Sequence, residues 1–371
     1  MRNFQSLVLC VGAAAVLAAC GGGGSGGKVI YSGMVNFGDS LSDVGTYKVG
    51  TVAALGGGMY NVNSSTAKNW TQVLAPQLGV STPCPYQTGL DGSAAQGFSV
   101  PVAYNIACKN YAQGGSRVTN PVGPGNKLLG GANAILGQTT VPLVAQVANH
   151  LGVVGGKFSG VELVTVMAGG NDAIIQTATY TGTVAAAAAA GGAAAAASAG
   201  PTAASAAVTA MATAGTELAT LVKDQMVAKG AKYVVVVNLP NVSATPYGAL
   251  NEAGLPGTKA VIDTMVKAFN TALSDGLANN ANVRIVDAYA SSSDQSINPA
   301  QYGLSNVTAT ACNLASPTPN ALGSSLVCNT SNVIAGDVSK YLFADAVHPT
   351  PYGYELLSQA VSKAMLAAGW L

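Results

Sequence analysis

Short apolar runs recur along this chain, and five of them have the make-up of strands buried on both faces of a parallel sheet. Residues 31–37, 103–111, 161–167, 232–238 and 283–289 are rich in β-branched side chains and end near Gly, Asn or Asp. Between them the apolar positions change to helical spacing. Trp70, Val73, Leu74 and Leu78 share one face of a helix expected over 69–78. Similar patterns predict helices over 141–151 and 216–229, and a last one over 351–366 opening on Pro351, a good first-turn residue. Strands alternating with helices predict an α/β fold with both faces of the sheet covered.

Three stretches interrupt this alternation. Residues 50–102 and 290–344 are long Gly/Ser/Pro-rich insertions, and residues 180–214 form a third that is mostly Ala. Alanine favours helix, but Gly191-Gly192 and Gly200-Pro201 should break that segment into pieces. Alanine is too weakly apolar, and the glycines too frequent, for a membrane span there.

Residues 1–20 read as a targeting segment outside the folded domain. Arg2 supplies a positive charge, residues 7–19 are apolar, and Leu17-Ala18-Ala19-Cys20 resembles the lipobox of bacterial lipoproteins. Acylation of Cys20 would anchor the chain in the cell envelope, with residues 21–30 as a Gly/Ser tether and membrane contact through the lipid. An ordinary signal-peptide cut, with Cys20 incidental and the protein secreted, is the other reading. Residues 31–371 are expected to form a single domain.

Composition narrows the classes. Only 8% of residues are charged and the net charge is +1, against roughly 25% charged residues in ordinary globular proteins. Lysines and arginines are scattered singly, so no electrostatic footprint for nucleic acid exists. Beyond Cys10 and Cys20, four cysteines remain and allow three pairings. Local pairing, Cys84 with Cys108 and Cys312 with Cys328, would close loops within the insertions. Two separated histidines and paired cysteines leave no ligand cluster for a metal, and no cofactor is called for.

Ligands of open α/β sheets bind beyond the carboxyl ends of the strands, so the polar residues there carry the chemistry. They are Phe37-Gly38-Asp39-Ser40-Leu41-Ser42-Asp43, Asn110-Tyr111-Ala112-Gln113-Gly114-Gly115-Ser116, Gly169-Gly170-Asn171-Asp172 and, before the last helix, Asp345-Ala346-Val347-His348-Pro349-Thr350. A serine hydroxyl needs a base to become a nucleophile. His150 sits in a helical stretch, which leaves His348, three residues after a carboxylate that can orient it. Ser40 at the first strand end is the candidate nucleophile. Gly115, whose N–H can approach a substrate closely, Asn171 and the Ser40 N–H are candidate donors to an oxyanion. No G-x-S-x-G elbow follows any of the expected strands.

These four segments resemble the sequence blocks of the GDSL (SGNH) hydrolase superfamily, in order, over residues 31–371. The bacterial branch of phospholipases, lecithinases, haemolysins and autotransporter-esterase passengers is similar also at Lys232 to Pro240 and Ala244-Thr245-Pro246. The resemblance implies a flavodoxin-like three-layer α/β/α fold with a five-stranded parallel sheet. It also implies hydrolysis of acyl esters through an acyl-enzyme on Ser40, with Asp345 and His348 as its partners and Gly115 and Asn171 as oxyanion donors. A small-molecule or lipid ester is the expected substrate. A carboxylesterase or lipase is the first reading; a phospholipase or lysophospholipase, a carbohydrate deacetylase and a non-catalytic envelope binding protein are the alternatives.

Overall fold

The computed structural model describes residues 29–371. The expected leader, Cys20 and most of the tether lie outside the described residues. The chain begins with β1 (Met34–Gly38), α1 (Gly50–Ala54), α2 (Trp70–Leu78), β2 (Gln87–Asp91) and β3 (Ser99–Tyr104). Next come α3 (Gly131–Leu136), α4 (Leu143–Val153), β4 (Leu163–Met167) and α5 (Gly170–Leu221). The remainder holds β5 (Tyr233–Val237), α6 (Pro246–Gly254), α7 (Thr258–Leu277), β6 (Val283–Val286) and α8 (Ala288–Ile297). It ends with β7 (Asn306–Thr310), β8 (Tyr341–Phe343) and α9 (Pro351–Ala367).

The main sheet is parallel, in the order β1-β4-β5-β6. It has four strands, not the expected five. Asn110 makes a single parallel bridge to Asn36 of β1, on the edge away from β4, through the Lys109 carbonyl and the Tyr111 N–H. Most of the segment expected to supply a second strand is used elsewhere, because β3 pairs antiparallel with β2. Asn110 then turns the chain, its side chain bonding Ser42 O and the Ala112 N–H.

Helices cover both faces. On one, Trp70 and Leu74 of α2 and Val361 and Met365 of α9 pack with Leu163, Val235 and Val237. On the other, Val147 of α4, Leu218 of α5 and Phe269 of α7 pack with Val164, Val234 and Val236. Alternate residues of β4 and β5 thus feed opposite cores, as side chains of a strand must. Helix starts are fixed by side chains. Asn69 and Gln72 form a capping box on α2, and Thr350 accepts from the Gly353 N–H ahead of α9, with Pro351 in the first turn.

The Ala-rich segment breaks once rather than into several pieces. α5 loses helical geometry at Gly191 and Gly192, and continues through Pro201. A break is required: α5 leaves the carboxyl end of β4, and the chain must return to the amino end of its parallel neighbour β5. The outgoing limb, residues 170–190, is roughly 31 Å long, and the return through residue 227 roughly 52 Å, at 1.5 Å per residue. The difference is about a strand length. The segment is therefore a helical hairpin reaching past the carboxyl edge of the sheet. Tyr180 and Val184 of one limb share a core cluster with Ala207 and Met211 of the other.

The insertions are pinned by disulfides, Cys84–Cys108 and Cys312–Cys328. Loops of this length are worth about 3 kcal/mol each in the chain-entropy account.

Gly192 has φ +71° and ψ −163°, a region essentially restricted to glycine. Gly192→Ala should therefore lower unfolding stability by about 1–3 kcal/mol. Gly200→Ala, in the helical return limb with open space around its missing Cβ, should raise it by about 0.5–1 kcal/mol. Urea unfolding of both variants tests the turn; equal effects would contradict it.

Candidate active site

The turn after β1 carries Ser40. Its geometry is set by backbone pairing on one side and a glutamine clamp on the other. Asp39 N–H donates to Met167 O at the end of β4 (3.2 Å). Gln146, on the buried face of α4, accepts from the Gly38 N–H (2.9 Å) and donates to Gly38 O (2.8 Å). Asp39 then accepts from the Leu41 N–H (3.0 Å), closing a tight turn.

His348 meets this turn from the loop before α9. Its Nε2 is 2.8 Å from Ser40 Oγ. Its Nδ1 is 2.8 Å from both carboxylate oxygens of Asp345. An ionised carboxylate only accepts, so Nδ1 carries the proton and Nε2 is left to accept from the serine hydroxyl. Asp345 also accepts from the N–H groups of His348 (2.9 Å), Val347 (3.0 Å) and Ser325 (3.0 Å). Tyr60 lays its ring against the imidazole, centroids 4.6 Å apart.

The remaining candidates converge on the same cavity. Ser40, Gly115, Asn171 and His348 all line a space of about 200 Å³, with Leu41, Ile174, Leu239, Val242 and Val347 among its apolar walls. The Gly114 N–H is bound to Asp43 Oδ2 (2.9 Å). Among the described residues, the N–H groups of Ser40 and Gly115 have no protein acceptor. Gly115 has φ +78°, and a Cβ there would sit 2.1 Å from Pro124 O, so no other residue fits. Asn171 uses one Nδ2 proton on Ser116 O (2.8 Å). Its neighbour Asp172 pairs with Arg117 (2.8 Å) and accepts from the Val118 N–H (3.1 Å), tying the Gly115 loop to the start of α5.

A family model described as GDSL-like lipase/acylhydrolase matches residues 34–361. The chain belongs to this family. A GDSL esterase/lipase of Arabidopsis thaliana is 26% identical over 143 residues, which is 36% of this chain. The matched region spans about a third of that plant relative's length, 34%.

Within this GDSL-family site the buried acids Asp39, Asp43 and Asp345 differ. Burial would raise the Asp345 carboxyl, but His348 and its other donors overturn that and hold it well below the usual carboxylate range. Burial dominates at Asp39, raising it from 3.8 to about 7, and at Asp43, raising it to about 6, despite bonds from nearby N–H groups. His150 lies apart, in the last turn of α4 among Phe37, Tyr111 and Phe158. Burial lowers it to about 4, so it is neutral core.

Gln146, Tyr60 and Ser325 were not singled out from the sequence. Gln146 gives a usable signal, an uncharged polar residue among Leu143, Val147 and His150 on a buried helical face. Tyr60 and Ser325 lie in insertions without periodicity and give none.

Asp39 yields a pH prediction. Between about pH 4 and pH 7 the folded protein keeps the Asp39 proton that the unfolded chain has lost. Its contribution to stability therefore falls as pH rises through that window. Asp39→Asn, which retains an acceptor for the Leu41 N–H, should remove this component. In urea unfolding at stepped pH, the stability difference between variant and parent should grow in the variant's favour from pH 4 to 7. A pH-independent difference would refute the shift.

Proposed function

We propose that this protein is a serine ester hydrolase of the esterase/lipase type, with Ser40 as nucleophile, His348 as general base and Asp345 as the group that orients His348. The observation that carries this reading is the continuous hydrogen-bonded line from Ser40 Oγ through His348 to the buried Asp345 carboxylate. Membership of the GDSL-like lipase/acylhydrolase family supports it.

In this reading His348 Nε2 takes the hydroxyl proton as Ser40 Oγ attacks the ester carbonyl carbon. The N–H groups of Ser40 and Gly115 and the Asn171 side chain receive the oxyanion; Gly115 rather than Gly114 serves, because Asp43 occupies the Gly114 N–H. Collapse breaks the bond to the alcohol oxygen, to which His348 returns the proton. Water, deprotonated by His348, then attacks the acyl-enzyme and releases the acid and Ser40. Asp345 stays ionised throughout and stabilises the imidazolium.

Acyl esters suit the apolar cavity walls. Carbohydrate esters suit them less, since Tyr60 is the single aromatic side chain lining the cavity. The similarity of residues 232–240 to bacterial phospholipase-like and autotransporter-passenger sequences, and the lipobox-like end at Cys20, support an exported bacterial enzyme held at the envelope by a lipid. The two disulfides fit an oxidising compartment.

Rates on p-nitrophenyl esters, phosphatidylcholine and acetylated xylan distinguish esterase, phospholipase and deacetylase. Ser40→Ala and His348→Ala should each reduce turnover roughly 10⁴–10⁶-fold with the fold intact, and Asp345→Ala by less. A fluorophosphonate should label Ser40 in the parent protein. Near-parental turnover in either of the first two variants would sink the assignment.

A further inference from the structure

A second cavity, of about 80 Å³, adjoins the one at Ser40. The two share Leu41, Pro240, Thr245 and Val347 in their linings. Leu41 and Val347 directly follow Ser40 and precede His348 in the chain. Beyond them the space runs between α8, β8 and α9, over Met167, Leu342, Phe343, Leu357 and Ala360. No charged residue lines it. Protein interiors are close-packed, and apolar concavities of this kind are where hydrocarbon ligands gain most.

We propose that this second cavity binds the hydrocarbon chain of the acyl group, making the protein selective for esters of short to medium-chain fatty acids. The inference rests on the ester-hydrolase reading above. The acyl group stays on Ser40 Oγ after the alcohol has left, and Leu41, the next residue in the chain, lines both cavities. The alcohol leaves from the His348 side into the larger cavity, past Ile174 and Leu239. Ala360 on α9 and Ser296 on α8 are small residues in the lining of the acyl cavity, so a larger side chain at either would reduce its volume.

The test compares two ester series on the parent protein, Ala360→Phe and Ser296→Phe. One varies the acyl chain on p-nitrophenol from acetyl to dodecanoyl; the other varies the alcohol of an acetate from methyl to hexyl. For the parent, kcat/KM should rise about threefold to fourfold per methylene through hexanoyl, from the transfer free energy of a buried CH₂, and then level. Each filling variant should cut the hexanoyl-to-acetyl ratio by roughly tenfold or more while leaving the alcohol series in its parental order. Thermal melts establish that each variant is folded. Should neither fold, the structure of the parent inhibited by a hexylphosphonate decides: the alkyl chain lies beside Met167 and Phe343, or the proposal is wrong. Unchanged acyl ratios in a folded variant, or a shift confined to the alcohol series, overturn the acyl assignment and leave the hydrolase reading standing. No hydrolysis of any ester and no phosphonate label on Ser40 overturn both.

Discussion

A carboxylate withdrawn from water is tolerated only where donors replace its hydration, and Asp345 shows how much of this fold is arranged to supply them. It accepts from the imidazole of His348, from the N–H groups of Val347 and His348, and from the N–H of Ser325. The first three come from its own loop, a local turn that the sequence Asp-Ala-Val-His makes available. The fourth comes from the disulfide-bonded insertion, twenty residues earlier. That insertion is itself tied to the same loop, since Cys312 N–H donates to Ala344 O and Ala344 N–H to His348 O. The Cys312–Cys328 bridge thus sits one hydrogen bond away from the strand end that delivers Asp345. Loosening it would leave a buried charge short of a partner, which is more costly than losing an ordinary surface contact.

The Ser40 turn solves the opposite problem. Asp39 and Asp43 are as deeply placed as Asp345 but have no cation within reach to hold them ionised as firmly, so burial raises both. Their oxygens are spent on backbone N–H groups: Leu41 for Asp39; Gly45, Thr46 and Gly114 for Asp43. The acids therefore act as turn-builders. Asp43 joins the Ser40 turn to the Gly114-Gly115 turn, and in doing so removes the Gly114 N–H from the cavity while Gly115 keeps its own. One buried side chain both fixes the loop and selects which amide faces the space.

Periodicity and strand-end polarity made the sheet, most helices and the four converging segments legible, because each depends on residues close in sequence. The nearness of Ser40 and Asn171 follows from the parallel topology once β1 and β4 are placed, whereas His348 comes from the loop after β8, which pairs with β7 outside the main sheet. What was not legible depends on partners far apart. The segment before Asn110 has the apolar make-up of a buried strand, yet β3 pairs with β2, and only Asn110 joins the sheet. Ser325 has no local feature that marks it as a donor to Asp345. In the Ala-rich segment, Gly191-Gly192 and Gly200-Pro201 are equally good breakers by propensity. Connectivity decides between them, since the return to the amino end of β5 needs a limb about a strand length longer than the outgoing one, which a break at Gly191-Gly192 leaves and one at Gly200-Pro201 does not.

The same separation of local from distant determinants applies to substrate choice. The groups placed for bond-making sit on strand-end turns whose backbones are held by the sheet, so their geometry follows from the core. The walls that would meet a hydrocarbon come from elsewhere: α8 and α9 enclose the smaller cavity, and the outgoing limb of the hairpin contributes Ile174 to the larger one. The smaller cavity lies within the core packing, since Met167, Ala288, Leu357 and Ala360 line it and also belong to or pack against one core cluster. Ala360 and Ser296 are small residues at its wall, and a larger side chain at either takes up its volume. In the proposed reading, bond-making and acyl selectivity meet at Leu41 and Val347, which adjoin Ser40 and His348 in the chain and line both cavities.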